Sequence, residues 1–304
     1  MKSQDRLGWG LALASTFASG IVTPIARGVV TGGMNPITLV LVRLLIASVL
    51  FLGTLLFLDR QKLKLDRQGW LRMIVIGLVG GVEICCFFWS LAFVDASMSA
   101  MIKATQPMIV LLMLAAGGER LTGRHWFRLA LALVGGYLLL GTSGKVAPFG
   151  LLLLALSLLF YAAQLVLTQW WLQAYDSQVA TIYVTVLMTV VVAVWWWVQG
   201  VEWHQPTANE WWILLLLAVV STWFARLSLF AAIRRIGSGQ IALLWPLQTL
   251  TVIGLSVVFL NERLTLVQWI GGTFILVSAL LAIERVGGGP MNYSMILRRT
   301  PRDG

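Results

Sequence analysis

Four ionisable side chains interrupt long apolar stretches of this chain: Arg43, Glu83, Lys103 and Arg226. Inside a bilayer each costs about 2.5–3.5 kcal/mol on insertion scales, so each needs a partner or water. Spacing adds to their meaning. Ser99, Lys103 and Gln106 stand at i, i+4 and i+7, which is one face of a helix. Ile241, Trp245 and Gln248 repeat that pattern 142 residues later. A further stripe runs through Ser157, Tyr161, Gln164 and Thr168, and its counterpart begins at Ser15 and Ser19. The chemistry these groups offer is recognition of a small polar solute. Lys103 or Arg226 suits a carboxylate, and Glu83 suits an ammonium or a proton. Gln106, Gln164 and Gln248 offer neutral amides, and Tyr161 and Trp245 offer ring faces to apolar or cationic groups. The structural alternative is an ion pair or inter-helix hydrogen bonds that only fix packing.

Bond-making chemistry has no visible seat. His125 and His204 fall in loops on opposite sides, and no metal set is present. Cys85 and Cys86 are adjacent, which suits buried thiols and not ordinary disulfide geometry. Gly144-Lys145 is not a phosphate loop, because Leu139 and Val146 stand where glycine and a hydroxyl residue are required. No cofactor is expected.

Elements that hold such residues must be membrane helices. Hydrophobic residues make up 59% of the 304 and charged residues 11%, against roughly a quarter charged in soluble domains. Mean hydropathy is +0.87. Ten apolar segments are legible, near 7–30, 36–58, 70–93, 97–117, 125–141, 148–172, 178–198, 210–233, 238–260 and 266–284. They lack the ten-residue alternation of a membrane β-barrel. The expected fold is an all-α integral membrane protein of ten transmembrane helices. A cleaved leader is not expected, since only about seven apolar residues precede Ala12-Leu13-Ala14 and the apolar run continues to Val30. Pro107 and Pro246 fall mid-span and Pro24 lies in span 1. Each frees a carbonyl one turn earlier, so each is a candidate gating bend.

The net charge of +10 is distributed by topology. Of the 22 Lys and Arg, sixteen fall on one side by loop parity, three on the other (Arg27, Lys145, Arg263) and three within spans. The positive-inside rule then puts both termini in the cytoplasm and the chain in the cytoplasmic (inner or plasma) membrane. The basic surplus is read as orientation and contact with lipid headgroups, not as nucleic-acid binding. Trp195-Trp196-Trp197, Trp203 and Trp211-Trp212 bracket one loop, as an aromatic belt does.

The two halves repeat. Glu119-Arg120-Leu121-Thr122 precedes span 5 and Glu262-Arg263-Leu264-Thr265 precedes span 10, with Trp126 and Trp269 seven residues after each glutamate. Residues 1–145 and 146–285 form two five-helix repeats, followed by a basic tail, 286–304. Five is odd, so the second repeat enters the membrane inverted. Two inverted halves that rock about a midplane site are a transporter architecture.

The paired Glu-Arg-Leu-Thr motifs, the following tryptophans and Arg43 early in span 2 resemble the EamA-type carriers of the drug/metabolite transporter superfamily, over about residues 7–284. That resemblance implies a metabolite carrier, often an exporter. Glu83-Ile84-Cys85 and Trp245-Pro246 are similar to motifs of the aromatic amino-acid exporters in that superfamily. Gln106-Pro107 departs from them, because those exporters carry a Trp-Pro pair in span 4. The expected function is secondary transport of neutral or aromatic amino acids by alternating access, driven by a proton or another gradient, with no oligomer required. The alternatives are carriage of phosphorylated or cationic metabolites, and a membrane-embedded lipid enzyme.

Overall fold

The computed structural model describes residues 3–55, 65–106, 147–171, 175, 177–203, 205–236 and 244–283, with scattered positions between 109 and 138. Every regular element among the described residues is helical. In chain order these are α1 (Ser3–Gly20), α2 (Val22–Thr31), α3 (Pro36–Leu55), α4 (Arg67–Ser90), α5 (Ala96–Lys103), α6 (Pro148–Trp171) and α7 (Ser177–Val198). Then come α8 (Ala208–Leu216), a π-helical segment (Leu217–Phe224), α9 (Ala225–Ile236), α10 (Trp245–Leu260) and α11 (Leu266–Ile283). Six helical stretches are long and apolar enough to cross a membrane: Arg6–Thr31, Pro36–Thr54, Arg67–Ser90, Pro148–Thr168, Val179–Val198 and Ala208–Leu229. Leu247–Leu260 and Leu266–Ser278 are apolar but shorter. The chain is a multi-pass membrane protein. The first Glu-Arg-Leu-Thr motif and about half of span 5 lie outside the described residues.

Local chemistry sets where the helices start. The Asn35 carboxamide oxygen accepts from the amides of Ile37 and Thr38 ahead of Pro36, a good first helical residue. Asp66 caps α4 by accepting from the Gly69 amide. Thr207 and Glu210 form a reciprocal capping box on α8. α10 ends at Asn261, whose left-handed φ of 53° turns the chain sharply, and the Glu262 amide bonds back to the Ser256 carbonyl.

Two breaks have one cause. Pro24 has no N–H for the carbonyl of Gly20, and the helix divides there, into α1 and α2 at Ile21. Pro107, itself outside the described residues, likewise has none for the carbonyl of Lys103. α5 ends at Lys103, and Ala104 and Thr105 continue as tight turns onto Met101 and Ile102. Span 4 is therefore not an unbroken helix from 97 onward. Pro246 differs from expectation too, because it sits in the first turn of α10, where a missing N–H leaves no helical bond unmade.

Packing crosses between the halves of the chain. α4 lies against α6 and α7; α1 lies against α9 and α10; α3 packs on α7 and the π segment; and α5 packs on α10. Glycine makes the α4 contacts close. A Cβ on Gly77 would lie 2.5 Å from Leu187 Cβ, and one on Gly81 would lie 2.6 Å from Val191 Cβ. At Gly80 it would run into the Gln164 amide. Buried Met73, Ile76, Phe87 and Phe88 of α4 belong to the main core, with Leu39, Leu44, Leu154 and Met188. The lipid-side pattern is just as regular, since α3 exposes Leu45, Val49 and Leu52 at i, i+4 and i+7.

Candidate functional site

Glu83 lies in the buried middle of α4, one turn before Phe87. Its Oε1 is 3.8 Å from the Nζ of Lys103, the last residue of α5. That Nζ also stands 3.5 Å from the centroid of the Phe87 ring and 5.7 Å from that of Tyr161 on α6. The ammonium is thus shared between a carboxylate and two ring faces, a cation–π arrangement.

Two arginines complete the charge cluster from other helices. The Arg43 Nε on α3 donates to Thr222 Oγ1 in the π segment at 2.8 Å, and its guanidinium lies 5.4 Å from the Phe88 ring centroid. Arg226 on α9 donates to Thr185 Oγ1 on α7 at 2.8 Å. Both arginines, like Lys103, interact electrostatically with Glu83. Three basic side chains therefore face one carboxyl group, a formal excess of two positive charges. The hydroxyls that hold the arginines are themselves anchored. Thr185 Oγ1 donates to the Thr181 carbonyl, and Thr222 Oγ1 donates to the Leu217 carbonyl five residues back. Next to Thr185, Thr189 shares a 2.8 Å hydroxyl–hydroxyl bond with Ser48 of α3.

Spare hydrogen-bonding capacity flanks Lys103 in the chain. Ser99 Oγ and Gln106 Nε2 are buried, and neither has a partner among the described residues. A buried polar atom without a partner costs roughly 1–3 kcal/mol. Ser99 is one helical turn before the half-buried Lys103 and Gln106 three residues after it, and each is a position where a polar solute or water can complete the bonding.

The structure thus brings together Glu83, Lys103 and Tyr161, with Arg43 and Arg226 in electrostatic reach. Gln106 follows the turn at Ala104 and Thr105, beyond the end of α5. Gln164 is placed against Gly80 of α4, with its amide 3.7 Å from Met188 Sδ. Gln248 is half-buried on α10, where its backbone carbonyl lies beside Gly20 of α1. No hydrogen bond among the described residues joins it to the Glu83 cluster. The Trp245 and Pro246 side chains and Pro107 are outside the described residues. Sequence reasoning missed Phe87, Thr185 and Thr222. Phe87 was findable, because it follows Glu83 by one helical turn. The two threonines were not, since each depends on a helix more than 40 positions away.

Glu262 has a role of its own. Its carboxylate accepts from the amides of Ala96 and Ser97 at 2.9 and 3.0 Å and from Ser97 Oγ at 2.5 Å. It therefore caps the start of α5 from the other half of the chain. Asp95, the residue in the N-cap position, makes no such bond and pairs with Arg27 of α2 at 2.8 Å. Arg27 also donates to the carbonyls of Leu91 and Val94.

A charged, incompletely bonded site inside a helical membrane fold is a setting in which a small polar solute can be held, and the family match below makes the chain a membrane transporter of small molecules. Residues 6–141 and 148–283 each match the EamA-like transporter family, and the chain belongs to that family. A Sinorhizobium sp protein described as "Uncharacterized transporter in cobO 3'region" is 32% identical over 108 residues, 35% of this chain and 76% of that protein. One solved protein crystal structure aligns with a TM-score of 0.64 over 95% of this chain and 100% of that chain, at 18% identity, a likeness of fold alone.

Proposed function

We propose that the chain is a secondary transporter that exports neutral and aromatic amino acids by alternating access. Ten helices, in two inverted five-helix repeats (1–145 and 146–285), carry the site between them. The observation that carries this reading is the end of α5, where Lys103, its ammonium held loosely by Glu83, stands one turn after unsatisfied Ser99 and three residues before unsatisfied Gln106. Lys103 and Gln106 offer donors to a carboxylate, and Glu83 with the Phe87 and Tyr161 rings suits an ammonium. The packing supports the repeat. If spans 1–5 and 6–10 exchange, α4 against α6 becomes α9 against α1, and α4 against α7 becomes the π segment against α3; all four contacts exist. Substrate-binding roles go to Glu83, Lys103, Gln106, Tyr161, Gln164, Arg226, Trp245 and Gln248, and bending roles to Pro24 and Pro107; Pro246, at the start of α10, has none. Both termini face the cytoplasm, the chain sits in the cytoplasmic membrane, a proton is the first coupling ion to test, and one copy suffices.

A second reading, carriage of phosphorylated metabolites, is favoured by the three cations around a single carboxylate. Cationic cargo is disfavoured by the same balance. Counterflow in proteoliposomes separates the readings. Uptake of labelled Phe, Trp, Met or Thr, weakened for bulky cargo by Trp245→Ala, is expected. Correctly inserted protein that moves sugar phosphates and no amino acid overturns the first reading.

A further inference from the structure

We propose that Glu83, Phe87 and Tyr161 form a primary-ammonium site that Lys103 fills while the carrier is empty, and that the cargo's ammonium enters by displacing Lys103. The inference rests on the amino-acid reading and adds how the cargo is admitted.

The geometry is that of a host holding a tethered guest. The Lys103 ammonium stands over the face of Phe87 at 3.5 Å and within 5.7 Å of Tyr161, inside the range of about 6 Å where ring faces attract cations. Its contact with Glu83 is long at 3.8 Å, whereas a committed ammonium–carboxylate bond closes to about 2.7–2.9 Å. The guest is therefore held by surroundings that any primary ammonium satisfies, with no bond unique to lysine. The other two cations are not interchangeable with it, because Arg43 and Arg226 each spend a short hydrogen bond on a threonine hydroxyl.

Lys103 is also free to leave. It is the last residue of α5, ahead of the turn at Ala104 and Thr105, and its four-carbon stem carries the charge. A destination lies one turn back on its own helix, where the buried Ser99 hydroxyl has an unpartnered oxygen that can accept from the displaced ammonium. In the exchange the cargo's ammonium takes the Glu83–Phe87–Tyr161 site. The displaced Lys103 and the Gln106 amide then meet the cargo's carboxylate. A zwitterion leaves the site's total charge unchanged. A carboxylate without an ammonium leaves Lys103 in place and finds one donor fewer.

The sign of the resulting test is unusual: removing a cation strengthens the binding of an ammonium. Purified Lys103→Ala protein, with Lys103→Met as the bulkier alternative should alanine fail to fold, is titrated with n-butylammonium by calorimetry. Binding at least tenfold tighter than wild type is expected, with loss of that gain when Glu83→Gln or Phe87→Leu is added. Folded variants that bind butylammonium no better than wild type overturn the proposal. The unmodified protein gives an independent arm. Acylation of Lys103 by an amine-reactive reagent, read by peptide mass spectrometry relative to a lysine peptide added to the same tube to correct for reagent consumed by butylamine, should rise several-fold when butylammonium is present. Unchanged or reduced labelling overturns it. A carrier that gains the butylammonium site in the variants yet moves no amino acid in counterflow keeps this inference and discards only the cargo reading.

Discussion

Single side chains outside the bilayer make pH-dependent claims that can be checked directly. The Tyr175 hydroxyl donates to Asp66 Oδ1 at 2.5 Å, and that bond, followed by the Gly69 amide, holds the Asp66 carboxyl below its usual range despite some desolvation. A carboxyl lowered by folding stabilises the fold at pH above its unfolded value, and the contribution is lost as pH falls through the folded value. Tyr175→Phe removes the leading cause. The Asp66 cap on α4 should then fail at a higher pH than in wild type, read as an upward shift of the acid limb of thermal stability. Identical acid limbs would show that the tyrosine bond does nothing for the cap. Within the spans, the same scale shows what sequence reading could reach. Glu83 and Lys103 stood out because a charge in an apolar run is conspicuous, and the i, i+4 spacing put Ser99 on the Lys103 face; the i+7 step to Gln106 assumed a helix that ends at Lys103. That the pair would form, and that the ammonium would also stand over Phe87, depended on the approach of α4 to α5, which no local spacing encodes.

Helices make different predictions. Gly80 is where α4 touches Gln164 of α6, so Gly80→Val should push the two apart, lower thermal stability and cut transport together. Normal stability and transport in that variant would mean the contact is dispensable. Glu262→Ala strips α5 of its three bonds, and loss of a helix cap costs about 0.5–2 kcal/mol. Because α5 is eight residues long and carries Lys103, the expected outcome is weakened substrate binding as well as a lower melting temperature; Glu262→Gln should recover part of both. Unaltered affinity in Glu262→Ala would show that α5 holds its place without the cap. The sequence put a helical span where α8, the π segment and α9 lie, and that much followed from hydropathy. The π turns did not. They shift the register between Leu217 and Phe224, and Ser221 and Thr222 both return their hydroxyls to the Leu217 carbonyl. A hydropathy window is blind to whether a carbonyl bonds four or five residues on. Proline was legible by contrast, since its missing N–H acts locally; Gly20 and Lys103 end their helices four residues before Pro24 and Pro107. Only Pro246 was misjudged, because a proline that starts a helix and one that bends it look alike in a sequence.

Across the whole molecule, the contacts that matter bridge the two halves, and the proposed inversion has a direct test. Single cysteines near Glu119 and near Glu262, in a protein lacking Cys85 and Cys86, should react with membrane-impermeant reagents from opposite sides, the second from outside. Labelling of both from one side would remove the inverted repeat. Cross-half packing also has a consequence for how the protein is made. Arg43 is buried, and the hydroxyl that receives its Nε belongs to Thr222, 179 residues further along the chain. At roughly 5–20 residues per second, the ribosome takes about 10–40 s to reach that threonine. Throughout that interval span 2 carries a guanidinium whose final acceptor has not been synthesised. The half-built protein must therefore linger beside something polar, whether the insertion machinery or the headgroup layer, and the last helices to emerge release it.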